Sequence, residues 1–149
     1  MISEQANYHM HNVALVYLEE IDKEYKVEMV DTVEVDEGYK LVSIPFFAKH
    51  LALHDIVTVE NEDGVHYFDD IIVKSGHSVV RIVFFDKNLI ENTINALQCL
   101  GANAYRYYDS ELFALDIPAS TDYSPIKQLL KNGSATKSWD YEEACLGWK

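Results

Sequence analysis

The sequence predicts an α+β protein, with an N-terminal small β-barrel or bent sheet followed by a ferredoxin-like βαββαβ unit. Short segments of alternating apolar residues occupy the first half of the chain. Two segments with apolar residues at helical spacing lie in the second half, and each has strand-like segments on both sides. We therefore predict an acidic β-rich lobe at residues 1–76 and a ferredoxin-like lobe at residues 77–149.

Period-two alternation predicts the strands of the first lobe. The alternating segments are residues 13–17, 25–29, 39–44, 55–60 and 65–68. Residues 61–64 are predicted to form a hairpin turn, because Gly64 readily adopts a positive φ. Residues 45–50 interrupt the alternation and are predicted to form a helical turn or a loop that plugs one end of the barrel.

The second lobe is predicted from helix caps and apolar spacing. Asp86 is a candidate N-cap for a helix that ends at Gly101, and Ser124-Pro125 begins a second helix that stops at Gly133. The surrounding strands are predicted at residues 79–85, 102–108, 111–117 and 135–141. In a ferredoxin-like sheet the fourth strand runs antiparallel beside the first. Residues 75–78 and 140–145 should therefore meet at one end of the sheet, on the side that faces the first lobe.

Charge and composition narrow the classes of partner. The chain has 25 acidic and 12 basic side chains and a formal net charge of −13. It offers no basic stripe to neutralise phosphates, so nucleic acid and anionic membrane surfaces are not expected partners. The N-terminus has no signal-peptide pattern, no segment approaches the roughly 18 consecutive apolar residues of a membrane span, and the two cysteines suggest no disulfide framework. We expect a cytoplasmic protein.

Several motifs in order resemble a known family. They are residues 43–48 (SIPFFA), 55–57 (DIV), 75–78 (SGHS) with Arg81, 122–125 (DYSP) and 139–147 (WDYEEACLG). Together these motifs resemble the bacterial domain-of-unknown-function family 4265, from about residue 12 onward. The resemblance implies a bacterial source and marks His77, Arg81 and residues 142–145 as family features, but it brings no assigned activity. His50 and His54 depart from the family pattern, in which small residues stand there.

One end of the second-lobe sheet should gather the residues that carry chemistry. They are His77, Arg81, Asp140, Glu142, Glu143 and Cys145. A thiol needs a neighbouring base to become a nucleophile, so His77 and Cys145 are candidate catalytic residues. In the alternative, His77 and Arg81 pair with the acidic residues and lock the two lobes together. We favour this interlobe role, because no cysteine-enzyme signature surrounds Cys145 and burial would make its thiol unreactive.

The remaining histidines and tyrosines suggest weaker hypotheses. His50 and His54 have the i, i+4 spacing that can place two imidazoles on one helix face, with His66 as a potential neighbour. A zinc site needs three or four protein ligands, and Asp55 is better explained as a polar start to its strand. We therefore predict no metal and no cofactor. His9 and His11 suggest no site, and the ten tyrosines are interpreted as core residues and as interface residues second.

Two classes of function stay open. The favoured one is a non-enzymatic protein whose acidic lobe binds a basic protein, most concretely an immunity protein that neutralises a nuclease toxin in competition between bacteria. Its predicted binding residues, turned outward by strand alternation, are Glu28, Glu34, Glu60, Glu62 and Asp63. The alternative is a small enzyme or ligand-binding domain that uses the end of the sheet where His77 and Cys145 lie. If neither holds, the acidic charge serves solubility alone.

Overall fold

The computed structural model describes residues 10–148 and contains strands and two α-helices. His9 therefore lies outside the described residues. The chain divides into two compact units, Met1–Ser75 and Gly76–Lys149. The predicted α+β class is confirmed. Within residues 10–148, neither helix is long and apolar enough to cross a membrane.

Residues 10–75 of the first unit contain five strands that close into a barrel in chain order. They are β1 (Met10–Glu19), β2 (Glu24–Glu34), β3 (Tyr39–Leu41), β4 (Ile56–Glu62) and β5 (Val65–Val73). Neighbours along the chain pair antiparallel, whereas β1 and β5 pair in parallel at Val13–His66 and Ala14–Tyr67. Alternation turns one side of each strand inward, where residues such as Val13, Leu15 and Val30 form a buried core.

The segment between β3 and β4 contains bends and turns rather than a helix. Its residues Ala48 and Leu51 pack in the barrel core. His50 and His54 each have a φ of 71°, in the left-handed region. The hypothesis that these two histidines share one helix face is therefore wrong, because a left-handed residue does not continue an α-helix.

The second unit contains a four-stranded antiparallel sheet and two helices. The strands are β6 (Ser78–Phe84), β7 (Asn103–Arg106), β8 (Leu112–Ile117) and β9 (Trp139–Cys145), and their order in the sheet is β7-β8-β6-β9. As predicted, the last strand pairs antiparallel with the first, for example at Ile82–Tyr141. The helices α1 (Ile90–Cys99) and α2 (Tyr123–Ala135) pack with the sheet around one core that includes Val80, Leu97 and Ile126.

Both ends of the first helix follow the sequence signals. The Asp86 side chain accepts a hydrogen bond from the backbone N–H of Asn88 and caps a single 3-10 turn, Lys87–Leu89, that leads into α1. Gly101 has a φ of 107° directly after the helix, and its N–H donates to the carbonyl of Gln98. These are the expected start and stop of a helix.

The second helix differs from its prediction at Gly133. This glycine does not stop α2, which continues to Ala135, and its backbone φ is not positive. Instead, Gly133 is buried where the indole ring of Trp139 packs against the helix. The absence of a side chain at Gly133 therefore provides space for an aromatic ring rather than a left-handed turn. The start also differs from the prediction, because the helix begins at Tyr123 rather than at Ser124-Pro125, and the side chain of Asp122 caps it by accepting from the N–H of Ser124.

Candidate functional site

The tip of the β4–β5 hairpin carries three of the predicted binding residues. Glu60, Glu62 and Asp63 are exposed, and Glu60 and Glu62 follow the outward alternation of β4. Asp63 occupies the turn with a φ of 54°, followed by Gly64 at 83°. Within residues 10–148, no basic side chain forms an ion pair with any of these three carboxylates. Together they form an exposed anionic surface.

Glu28 does not belong to that surface. It lies on the same side of β2 as the buried Val30, and its carboxylate accepts hydrogen bonds from the backbone N–H groups of Phe46, Phe47 and Ala48. The prediction that alternation turns Glu28 outward is wrong, because the residue shares the inward face of its strand. Its carboxylate anchors the loop between β3 and β4.

Glu34 lies at one end of the barrel beside a group of rings. It also shares the inward face of β2, contrary to the predicted outward orientation, but it is exposed because the strand ends there. Its Oε1 is 3.6 Å from Nε2 of His11. The rings of His11, Tyr39 and His66 contact one another with centroids 5.4 to 5.8 Å apart. Nevertheless, no group of three His, Cys, Asp or Glu side chains among residues 10–148 has a geometry that could hold a metal ion.

Asp55 stands at the start of β4, as predicted, and is also a buried anchor. It has 0% exposure and directly precedes β4. One carboxylate oxygen accepts from the N–H of Ala52 at 2.9 Å, and the other accepts from the N–H of Ser75 at 2.8 Å. Ser75 also donates through its hydroxyl to the carbonyl of Leu53. One charge-assisted bond to Asp55 and one hydroxyl bond to Leu53 therefore fasten Ser75, the last residue of the first unit, to the segment before β4.

In the second unit, His77 lies beside an acidic residue that the sequence analysis did not name. Nδ1 of His77 is 2.7 Å from Oδ1 of Asp116 in β8, and the amide of Asn103 donates to Oδ2 of the same carboxylate at 3.2 Å. Asp116 is only 2% exposed. The contact orients the imidazole ring of His77 toward the buried carboxylate, and an ionised carboxylate can only accept in such a contact.

Cys145 and Asp116 share a row of the sheet. Val79 of β6 pairs with Asp116 on one side and with Cys145 on the other. Directly opposed residues have their side chains on the same face, so both residues share the face on which Val79 lies. Cys145 is buried, whereas Cys99 is exposed, and neither forms a disulfide. Sequence reasoning therefore placed His77 and Cys145 at the same end of the sheet, and missed Asp116.

The segment after Cys145 also reaches the residues before β6. The N–H of Gly147 donates to the hydroxyl of Ser78 at 2.9 Å. A side chain at Gly147 would overlap with the carbonyl oxygen of Gly76, so the two backbones are in close contact. The predicted meeting of residues 75–78 with residues 140–145 is confirmed for the part that lies in the second unit.

The predicted acidic partners of this region lie on both faces of β9. Arg81 is 5% exposed, and its Nη1 is 3.2 Å from Oε1 of Glu142, the residue opposite it in the sheet. Glu143 turns to the other face, where it accepts from the hydroxyl of Tyr123 at 2.6 Å and lies 3.3 Å from Nζ of Lys127. Asp140 is exposed and accepts from the N–H of Tyr141. These contacts lie within the second unit, and an interlobe role for them stays a prediction.

Burial and hydrogen bonding change the acidity of Tyr123. Its pKa is raised above the usual value, first because the phenol is partly buried and then because its hydroxyl donates to the Glu143 carboxylate. A buried hydroxyl beside a carboxylate resists ionisation, since a second negative charge would face the first. Tyr123 is therefore a hydrogen-bond donor rather than a proton carrier at physiological pH.

The sequence model of the domain-of-unknown-function family DUF4265 matches residues 28–141. The chain belongs to the DUF4265 family. A crystal structure of a hypothetical protein from Neisseria gonorrhoeae is similar to this DUF4265 protein, with a TM-score of 0.82 and 26% sequence identity. The similarity covers 95% of this chain and 98% of the other. No curated protein matches the DUF4265 chain.

Proposed function

We propose that this DUF4265 protein is a non-enzymatic binding protein whose acidic barrel unit occupies a basic protein. The concrete form of the proposal is an immunity protein that covers the nucleic-acid-binding surface of a nuclease toxin. The observation that carries it is the anionic surface of Glu60, Glu62 and Asp63, which is exposed and uncompensated among the described residues. Such surfaces accelerate association with cations and compete for phosphate-binding sites.

The test is a charge reversal followed by binding kinetics. The partner is isolated from the source organism with the full chain as bait, identified, purified, and assayed at low and moderate ionic strength. Glu60→Lys with Glu62→Lys should reduce the association rate severalfold and weaken its salt dependence. The matched control, Glu91→Lys with Asp109→Lys, changes the net charge equally at exposed positions of the second unit and should have little effect. An acidic partner, or an association rate that ignores salt, would contradict the proposal.

A second candidate is supported by the short contact between His77 and Asp116. A histidine oriented by a buried carboxylate, at the same end of the sheet as a cysteine, is an arrangement that can activate a thiol if the two side chains meet. The candidate function is a small enzyme or ligand-binding domain that uses His77 and Cys145. To test it, Cys145 is alkylated by iodoacetamide in a Cys99→Ser background near neutral pH. Rapid labelling that His77→Gln abolishes would support the enzyme, and labelling only on unfolding would exclude an activated thiol.

We also infer that residues 76–149 form a ferredoxin-like unit. The order β7-β8-β6-β9, with α1 after the first strand and α2 after the third, supports this classification. Proteins with this fold have many unrelated functions, so the fold does not distinguish the two candidate functions. The experiments on the anionic surface and on Cys145 distinguish them.

A further inference from the structure

An exposed apolar patch covers the outward face of the β1–β2 hairpin. Its members are Val16, Leu18, Tyr25, Val27 and Met29, which are between 46% and 76% exposed. They alternate along their strands with inward residues such as Leu15 and Val30, which are 2% exposed. We call these five outward residues the hairpin patch.

The hairpin patch is contiguous rather than scattered. Val16 lies directly opposite Val27, and Leu18 lies directly opposite Tyr25. Ile21 extends the apolar surface at the tip of the hairpin, where it is 93% exposed. Single exposed apolar residues need no explanation, but a contiguous patch rimmed by polar residues is typical of a protein–protein interface. The patch is suited to a protein–protein interface, because its valine, leucine and tyrosine side chains lie on one face of a sheet. A partner can cover them without a change in the backbone.

The rim of the hairpin patch is acidic. Residues 19–24, at the end of the hairpin, contain four carboxylates and one lysine. Two of these carboxylates are paired, Asp22 with Lys26 at 3.0 Å and Glu20 with Lys49 at 3.5 Å, whereas Glu19 and Glu24 form no ion pair among the described residues. A second copy of this chain docked symmetrically on the patch would bring the two acidic connections to the same interface, where like charges repel. Charge complementarity instead favours a partner with lysine and arginine around an apolar centre.

The hairpin patch lies on the same row of paired residues as the anionic surface, and the intervening Ala14 is buried, at 1% exposure. Met29 of β2 pairs with Ala14 of β1, Ala14 pairs with Tyr67 of β5, and Tyr67 pairs with Glu60 of β4. This row crosses four neighbouring strands of one closed sheet. Adjacent strands are about 4.8 Å apart, so Glu60 lies roughly two strand spacings, about 10 Å, from Ala14. Apolar and anionic surfaces of the barrel are therefore within the footprint of one protein interface.

We propose that the hairpin patch is the central contact of this protein's docking surface, and that it accepts a protein segment with an apolar centre flanked by basic residues. The inference rests on the proposed function and divides its binding surface into two parts. Glu60 and Glu62 attract the partner and set the association rate. The hairpin patch is desolvated in the complex and sets the dissociation rate, as buried aromatic and aliphatic contacts do in other interfaces.

The test uses peptide libraries displayed on phage and the immobilised full-length protein. One library has an apolar centre with lysine and arginine flanks, and the other has the same centre with aspartate and glutamate flanks. Basic-flanked sequences should be enriched. For the selected peptides, Leu18→Thr with Tyr25→Thr should accelerate dissociation about tenfold or more. The control, Ile72→Thr with Val73→Thr, changes exposed apolar residues of β5 and should bind like the unmodified protein.

The results distinguish a failure of this inference from a failure of the proposed function. Basic-flanked peptides that bind equally well to the Leu18→Thr/Tyr25→Thr protein, but not to the Glu60→Lys/Glu62→Lys protein, would overturn the inference and keep the proposed function. Enrichment of acidic flanks would contradict both, whereas selection of no peptide would overturn the inference alone, because the proposed function requires a basic protein and not a linear segment. Sedimentation of the unmodified protein as a dimer that Leu18→Thr with Tyr25→Thr dissociates would show a second copy on the patch, and would also overturn the inference.

Discussion

Replacement of Gly133 by alanine tests how tightly α2 packs on the sheet of the second unit. A Cβ atom at this position would overlap with Cε2, Cζ2 and Cη2 of Trp139. The ring is 7% exposed, and its Nε1–H donates to the carbonyl of Leu130 at 3.0 Å. The indole therefore cannot move away from α2 without disturbing a buried hydrogen bond.

The expected destabilisation follows from three opposing contributions. Alanine is better than glycine in a helix interior by about 1 kcal/mol. Overpacking of a dense core costs about 1–3 kcal/mol, and the displaced Trp139 hydrogen bond costs about 1 kcal/mol more. Gly133→Ala should therefore lower the free energy of unfolding by about 1–3 kcal/mol, although the same substitution in an exposed helix would raise it.

The assay is urea unfolding followed by far-ultraviolet circular dichroism. Gly64→Ala is a useful control, because Gly64 has a positive φ. Apart from its two chain neighbours, no described atom lies within 4 Å of the position that an alanine methyl group would take, so the cost comes from the backbone alone. A double-mutant cycle with Trp139→Phe should return a coupling energy, since the smaller ring relieves the overlap. A Gly133→Ala protein as stable as the unmodified one would refute the packing argument.

Three further predictions concern buried polar contacts. Glu28→Gln should destabilise the barrel by about 1–3 kcal/mol, because an amide offers fewer acceptors to the three backbone N–H groups, whereas exposed Glu34→Gln should change the urea midpoint little. The folded protein raises the pKa of Tyr123, so the protonated tyrosine contributes fully to stability below a pH of about 10, where the unfolded chain is protonated too. This contribution is lost as the pH rises further, because the unfolded chain then releases a proton that the folded protein retains. Tyr123→Phe should flatten that alkaline decline in urea unfolding, and an unchanged slope would contradict it. Asp116→Ala should cost about 2–4 kcal/mol by thermal or urea unfolding, since it removes an acceptor shared by two side chains; a neutral result would show that the buried carboxylate is dispensable.

Local signals in the sequence were sufficient for much of the second unit. The cap at Asp86 and the left-handed Gly101 act within a few residues of the chain, so their geometry follows from the residue types alone. The pairing of β9 with β6 also followed, because the order of strands and helices leaves few ways to complete an antiparallel sheet.

The features that escaped prediction depend on tertiary register. Asp116 lies in the otherwise apolar segment 112–117. A carboxylate in a strand that is expected to be buried indicates a structural or functional role, and this pattern could have identified Asp116 from the sequence. Its partner His77 is 39 positions away, and only the register of β6 against β8 brings them together. Glu28 was misread for the same reason, because an acidic residue on the inward face of a strand violates the usual alternation of polar and apolar residues.

The parallel contact that closes the barrel has a consequence for how the first unit forms and opens. β1 and β5 are joined by two residue pairs, Val13–His66 and Ala14–Tyr67, whereas β1 and β2 share ten. The two-pair seam also joins opposite ends of the unit, so its closure carries the largest loss of chain entropy among the barrel pairings. We expect the hairpins to form first and the seam last. Amide protons at the seam should then exchange with solvent before those at the centre of β1–β2. The β1–β5 pairing is therefore the part of the barrel that should open first in local unfolding.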